Sequence, residues 1–265
     1  QRLSRGLGDV YKRQALKANQ DGSDPILLVL PSDHIIRDSK KFQKILETAI
    51  EYCNEGKLVT FGITPDKAET GYGYIEADKI LNPEKIKGEK IIRFIEKPSK
   101  KIAEKLLTDK RFSWNSGIFL FKASIFLNEI KEREPNIFRV CKESLKKNLF
   151  DLDFQRVDKD IFSQCQNISI DNAIMEKTSL GYVLPLNAGW SDIGSWESMW
   201  EVAKKDKKGN FISGDVITND VSNSYLRSEN RMVVGIGFED LIIVETIDAI
   251  LAVSYTHLTL PTTTI

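Results

Sequence analysis

A short apolar run that stops on a proline restricts the fold of this 265-residue chain more than any other feature. Ile26 to Leu30 reads "ILLVL" and is closed by "PSDHII" from Pro31. A wholly apolar stretch of this length suits a buried parallel strand. Phe42, Ile45, Leu46, Ala49, Ile50 and Cys53 then recur at helical spacing, with Asp38 or Ser39 as cap and Gly56 as stop. "LVTFGI" (Leu58 to Ile63) is the next strand. Strand, helix, strand is the repeating unit of an α/β sheet, and a ligand is then expected beyond the strand ends.

The pattern continues. "TPDKAETGYGY" reads as a loop, "IIRFIEKP" as a strand closed by Pro98, and Ser99 as the cap of a short helix through Leu107. "WNSGIFLF" (Trp114 to Phe121) is a strand, helical stretches surround Pro135, and a charged segment runs to about Gln164. "SIDNAIMEKT" reads as a capped helix, "GYVLPL" as a strand, and "GWSDIGSWESMWEVAKK" turns into a helix. From Gly209 the texture changes to short strands separated by Asn, Asp, Gly and Ser, which predicts a small β-rich appendage over 209–252. The core is expected over 15–208.

Composition excludes several functions. With 38 basic and 38 acidic residues there is no net charge to hold nucleic acid or an anionic membrane. No apolar run approaches a membrane span, and no secretory signal precedes the first strand. Cys53, Cys141 and Cys165 fit neither a zinc spacing nor a disulfide framework, and read as reduced thiols of a cytoplasmic protein. A single histidine, His34, lies away from the C-terminal end, which disfavours Ser-His-Asp chemistry and a His-rich metal site. Neither a G-x-G-x-x-G turn after the first strand nor a G-x-x-x-x-G-K-[ST] loop occurs.

The two ends read as foreign. "DVYKRQ" (Asp9 to Gln14) and "VSYTHL" (Val253 to Leu258) can be encoded by DNA segments that are inverted repeats of each other. They resemble translated transposon ends of sequencing-library adapters, so residues 1–14 and 253–265, His257 included, are set apart from the fold as non-native scars.

Carboxylates follow two of the strands. Asp33 and Asp192 form the pair suited to a divalent metal, because Mg²⁺ takes one or two hard carboxylates and keeps positions for phosphate oxygens. Both could equally cap the helices after them, and spacing alone favours capping. Lys97, fixed by Pro98, offers a compact charge for a phosphate, though a single lysine is ordinarily solvated surface. Glu96, Asn115 and Asp171 could receive sugar hydroxyls. Gly71, Gly73 and Gly117 allow close backbone approach or simply mark turns. Trp190 and Trp196 read as core, and His34 as a ribose contact or helix-end packing.

"LVLPSDHII", "FGITPDKAETGYGYIE", "FIEKPS", "WNSGIFLF", "SIDNAIMEKT", "GWSDIGSW" and "GNFISGDV" occur in this order. The set resembles mannose-1-phosphate guanylyltransferases of bacterial type, across nearly all of Ala15 to Ala252. The resemblance implies a Rossmann-like nucleotidyltransferase core with a mixed, mostly parallel sheet, and transfer of GMP from GTP to mannose 1-phosphate. It implies Mg²⁺ on Asp33 and Asp192, Lys97 on the sugar phosphate, and Gly73, Glu96 and Asn115 in the mannose pocket with Asp171 near. The family's opening glycine-rich loop, G-G-x-G-x-R-L-x-P-L-S-R, is not in this sequence. The core is therefore expected to lack its first strand, to be inactive alone and to expose a sheet edge. The rival readings are another sugar-1-phosphate nucleotidyltransferase, a non-catalytic nucleotide-sugar sensor on the same fold, and an open reading frame without function. The β-rich appendage is the expected surface for a homodimer.

Overall fold

The computed structural model describes residues 15–16, 23–146, 149–151, 154–156 and 158–254. They divide into two compact units, one holding Ile36–Trp190 and the residues before Asp33, the other Asp33–Ile35 and residues from Ser191 onward. The residues set apart at the N-terminal end, and those beyond Ser254, lie outside the described residues.

The chain runs β1 (Ile26–Val29), β2 (Ile35–Ile36), α1 (Ser39–Asn54), β3 (Leu58–Ile63), β4 (Tyr74–Ala77), β5 (Glu89–Ile95), α2 (Lys100–Thr108), β6 (Phe112–Lys122), α3 (Ala123–Arg133), α4 (Pro135–Ser144), β7 (Leu149–Asp151), β8 (Phe154–Arg156), α5 (Lys159–Phe162), a π-turn (Asp171–Met175), β9 (Gly181–Pro185) and β10 (Trp190–Ser191). Helix α1 begins where Asp38 accepts from the Lys41 N–H at 2.9 Å, and it ends at Gly56, whose φ of 77° a side chain would resist. Its Ile45, Ala49 and Cys53 bury against Val59 and Phe61 of β3. Pro135 sits at the first position of α4, where its missing N–H has no helical partner to lose.

The central sheet is ordered β1-β6-β3-β9-β5-β4, with β4 also paired to β6. It is mixed. Strands β1, β3, β4 and β9 run one way and β5 and β6 the other, so only β3–β9 is a parallel pair. The expectation of a mostly parallel sheet is corrected at the level of neighbours: the opposed strand β6 lies between β1 and β3. The expectation for β1 is corrected too. It pairs antiparallel with β6 at a sheet edge, Ile26 opposite Lys122 and Val29 opposite Phe119, and Leu28 remains 38% exposed. An apolar run reports low polarity, not how many neighbours the strand will have.

A row of paired residues crosses four strands: Ile63 opposite Trp114, Trp114 opposite Tyr74, Tyr74 opposite Ile95. Strand β4, which carries Tyr74, takes the place of the end of the expected loop. All four of its residues are buried.

The second unit begins at Ser191, ahead of the expected change at Gly209. Helix α6 (Trp196–Val202) belongs to it, since Trp196, Met199 and Trp200 pack on Tyr225, Ile242 and Val244. Strands β11 (Phe211–Ser213), β12 (Val216–Ser222), β13 (Tyr225–Ser228), β14 (Val233–Glu239), β15 (Leu241–Glu245) and β16 (Ile250–Ser254) follow. Strands β11, β13 and β15 pair in parallel, as do β12 and β14. Strands β11 to β15 therefore alternate between two sheets, a coil in which each strand is the other sheet's crossover, and β16 closes it by pairing antiparallel with β15. Corners fall at Gly214, Asn223 and Asp240, all with positive φ. Buried Asn210 secures one corner, donating to the Val221 carbonyl at 2.8 Å and accepting from the Ser224 N–H at 3.0 Å. Among the described residues no helix is long and apolar enough to cross a membrane.

Candidate active site

Beside the row of paired residues, Asn115 within β6 lies opposite Gly62 of β3, while Gly73 precedes β4 and Glu96 follows β5. Asn115 of β6 donates its backbone N–H to the Gly73 carbonyl at 2.8 Å. Its side-chain oxygen accepts from the Thr60 hydroxyl at 3.0 Å, and its amide nitrogen donates to Asp171 Oδ1 at 3.0 Å. Both the oxygen and one N–H of that amide are thus committed, and together they orient a carboxylate. A Cβ on Gly73 would lie 2.6 Å from Glu96 Oε2 and 3.0 Å from the Phe94 ring, so only glycine lets the backbone pass this close. Gly117 has φ of 70°, and its N–H donates to the Asn115 side chain at 3.3 Å. Gly71 is different: an added methyl there would meet only Glu69 Oε1, at 3.5 Å.

Asp171 stands on the π-turn rather than on the expected α-helix. The Glu176 N–H donates to the Asp171 carbonyl at 2.9 Å, the i to i+5 bond of a π-turn, a feature that recurs at functional sites. This brings Glu176 into the same electrostatic neighbourhood, a residue that helical periodicity does not single out. Burial pushes the Asp171 carboxyl up to about 6, the Glu96 charge adds to the rise, and the Asn115 amide opposes it. Burial also raises Glu96, against the pull of Lys97. Two carboxylates that resist ionising together, with one amide fixing the orientation of Asp171, form a polar cluster whose groups can accept and donate hydrogen bonds.

Lys97 has φ of 44°, left-handed backbone that costs a non-glycine residue about 1–2 kcal/mol. Pro98 follows it directly. Tyr72 packs edge-on against Trp114 and Trp190, at centroid distances of 5.2 and 5.7 Å. Trp190 is therefore part of an aromatic wall, and Trp196 packs in the second unit against Tyr225 at 5.8 Å.

Asp33, His34 and Asp192 belong to the second unit. Neither aspartate caps a helix. Asp38 caps α1, and Ser195 caps α6 by accepting from the Ser198 N–H at 3.1 Å in a reciprocal capping box. Asp192 instead accepts from the Gly194 N–H at 3.2 Å. The Asp33 side chain is 82% exposed, with Oδ1 3.9 Å from His34 Nε2. Burial lowers the His34 imidazole, and Asp33 and Asp192 both draw it back up, so both carboxylates act on one histidine. No group of three or more metal-ligating side chains occurs among the described residues.

The family model described as nucleotidyl transferase matches residues 1–209. The chain belongs to the nucleotidyl transferase family. It is 44% identical to mannose-1-phosphate guanylyltransferase 2 of Escherichia coli O157:H7, over 89% of this chain and 50% of that protein. It is 43% identical to mannose-1-phosphate guanylyltransferase RfbM of Salmonella typhimurium, over 88% of this chain and 48% of that one. The chain spans about half the length of the curated relatives it matches. Among solved structures, a Thermus thermophilus protein described as a mannose-1-phosphate geranyltransferase shares the fold with a TM-score of 0.78 and 26% identity, over 95% of this chain and 72% of that one. A Helicobacter pylori protein described as mannose-6-phosphate isomerase aligns with a TM-score of 0.63 and 32% identity, over 72% of each chain. As a nucleotidyl transferase the chain has an α/β core with a mixed sheet, followed by a β-rich region.

Proposed function

We propose that the chain carries the sugar-phosphate pocket and metal-binding carboxylates of a mannose-1-phosphate guanylyltransferase, which makes GDP-mannose and pyrophosphate from GTP and mannose 1-phosphate. One observation carries this reading: Asn115 holds the Asp171 carboxyl in the field of Glu96, whose own carboxylate closes in on the backbone at Gly73. Sugar hydroxyls need acceptors and donors at fixed positions, and the carboxylates together with the second N–H of this amide supply both. The names of the relatives supply the sugar and the nucleotide.

In this reading Glu96, Asn115, Asp171 and the backbone at Gly73 and Gly117 bind and orient the sugar. The Lys97 ammonium binds the sugar phosphate and offsets its charge. A phosphate oxygen of mannose 1-phosphate attacks the α-phosphorus of GTP in line, and pyrophosphate leaves without a covalent protein intermediate. Catalysis is then positioning and charge neutralisation. Asp33 and Asp192 fit Mg²⁺: both are hard oxygen donors, and neither is used as a helix cap. The bound ion would supply charge neutralisation for the leaving pyrophosphate. His34 is assigned to the nucleotide ribose.

Calorimetric titration of this chain with mannose 1-phosphate and glucose 1-phosphate tests the pocket. Preferential binding of the mannose compound, weakened about tenfold or more by Asn115→Ala, is the expected result. Equal affinity for both sugars, or affinity indifferent to Asn115, overturns the assignment. Turnover assays of the intact protein, glycine-rich loop included, with GTP, UTP and dTTP test the nucleotide, and preferential use of UTP or dTTP would replace the guanylyl reading.

A further inference from the structure

Cys141 and Cys165 are unrelated thiols by sequence spacing, yet the fold sets their sulfurs 3.7 Å apart. Two local features bring them together. The Asp158 N–H donates to the Ser144 carbonyl at 3.1 Å, fastening the chain after β8 to the end of α4. The Asp158 side chain then accepts from the Asp160 and Ile161 N–H groups, starting α5 beside α4. The turn closing α5, where the Cys165 N–H donates to the Phe162 carbonyl at 3.0 Å, delivers Cys165 to Cys141. Cys141 is fully buried and Cys165 only partly, so a reagent from solvent meets Cys165 first.

We propose that Cys141 and Cys165 form a reversible intramolecular disulfide, a redox-controlled cross-link between α4 and the turn after α5. The co-reactant is a small-molecule disulfide such as oxidised glutathione. The Cys165 thiolate attacks one of its sulfurs, and the first glutathione leaves as a thiolate. The Cys141 thiol, losing its proton, displaces the second glutathione from Cys165. One S–S bond in the reagent is exchanged for one in the protein, two protein thiols are oxidised, and two molecules of reduced glutathione are released. The sulfurs start in van der Waals contact, and a bond of about 2 Å is within reach of side-chain torsion. Cys53 is unsuited to this role. It is fully buried, its Sγ lies 3.3 Å from the Leu120 carbonyl, and burial pushes its thiol up to about 12. Two sulfurs alone do not make a zinc site, and no group of three or more metal-ligating side chains occurs among the described residues. The cross-link would tether the segment that leads into the π-turn bearing Asp171.

The test equilibrates the whole chain in glutathione buffers of graded oxidised-to-reduced ratio, followed by alkylation and intact mass. The expected result is a loss of about 2 Da with protection of two of the three thiols, a Cys141–Cys165 cross-linked peptide, and full reversal by reduced glutathione. Cys165→Ser, at the more exposed position, should remove the mass change and leave Cys53 and Cys141 both open to alkylation in denaturant. Cys141→Ser should leave Cys165 as a stable glutathione adduct. Full alkylation of both cysteines at every ratio would overturn the proposal. So would a glutathione adduct on Cys165 in the parent chain that never resolves, or oxidation appearing only as a disulfide between two chains.

Discussion

Replacing Asp171 with asparagine should stabilise the protein, and only at neutral pH. The folded carboxyl has its midpoint raised from 3.8 to about 6, mainly by burial and then by Glu96. The sign follows from linkage. Between those values the unfolded chain has lost this proton and the folded chain keeps it, so stability falls as pH rises through the interval. Above both, an ionised Asp171 costs about 3 kcal/mol relative to acid conditions. Asparagine preserves the shape and the oxygen that accepts from the Asn115 amide at 3.0 Å, but cannot ionise. Urea unfolding of both proteins from pH 4 to pH 8 measures the difference. The variant should match the parent near pH 4 and exceed it by roughly 2–3 kcal/mol at pH 7–8, the gain growing most steeply between pH 4 and 6. A pH-independent difference, or a variant less stable than the parent at pH 7, would refute the reasoning, because the carboxyl would not then be buried against a second negative charge. The same variant should bind mannose 1-phosphate more weakly, a trade of function against stability common at sites that hold strained charges.

Gly73→Ala would drive a methyl against Glu96 Oε2 and the Phe94 ring; a flexible carboxylate can swing away, so unfolding should change by about 1 kcal/mol while calorimetry reports a loss of sugar-phosphate affinity of about tenfold or more. Asp192→Asn should leave the helical circular dichroism unchanged, since Ser195 caps α6, while Mn²⁺ binding followed by electron paramagnetic resonance weakens; unaltered binding would remove Asp192 from the metal site. Glu245 accepts from the N–H groups of Glu229, Asn230 and Arg231 at 2.8–3.1 Å, which hold its carboxyl below the ordinary range. Glu245→Gln should lower the unfolding midpoint and speed amide exchange at residues 229–231. In the parent, the charge-dependent part of this stabilisation is present above the ordinary carboxylate value and should fade as pH falls through the lowered one.

Much of the proposed site is legible in the sequence. Asp33, Gly73, Glu96, Lys97, Asn115, Gly117, Asp171 and Asp192 stand out because strand ends, prolines and glycines punctuate a sequence locally, and the ordered motifs carry a family likeness. Bare spacing cannot separate metal ligands from helix caps at Asp33 and Asp192. Caps are decided by which side chain reaches a free N–H, and here Asp38 and Ser195 do so. Glu176 does not stand out because its link to Asp171 spans five residues on a π-turn, a period that neither helix nor strand patterns display.

Apolar periodicity and turn residues, properties of adjacent positions, determined where most strands and helices lie and that the chain is α/β with a β-rich end. Tertiary structure alone decided that β6 runs against β1 and β3, that β1 sits at an edge, that the last strands coil between two sheets, and that Cys141 meets Cys165. Direction, partners and long-range contacts depend on what packs across the sheet, and hydrophobicity along a segment is the same whichever neighbour it meets.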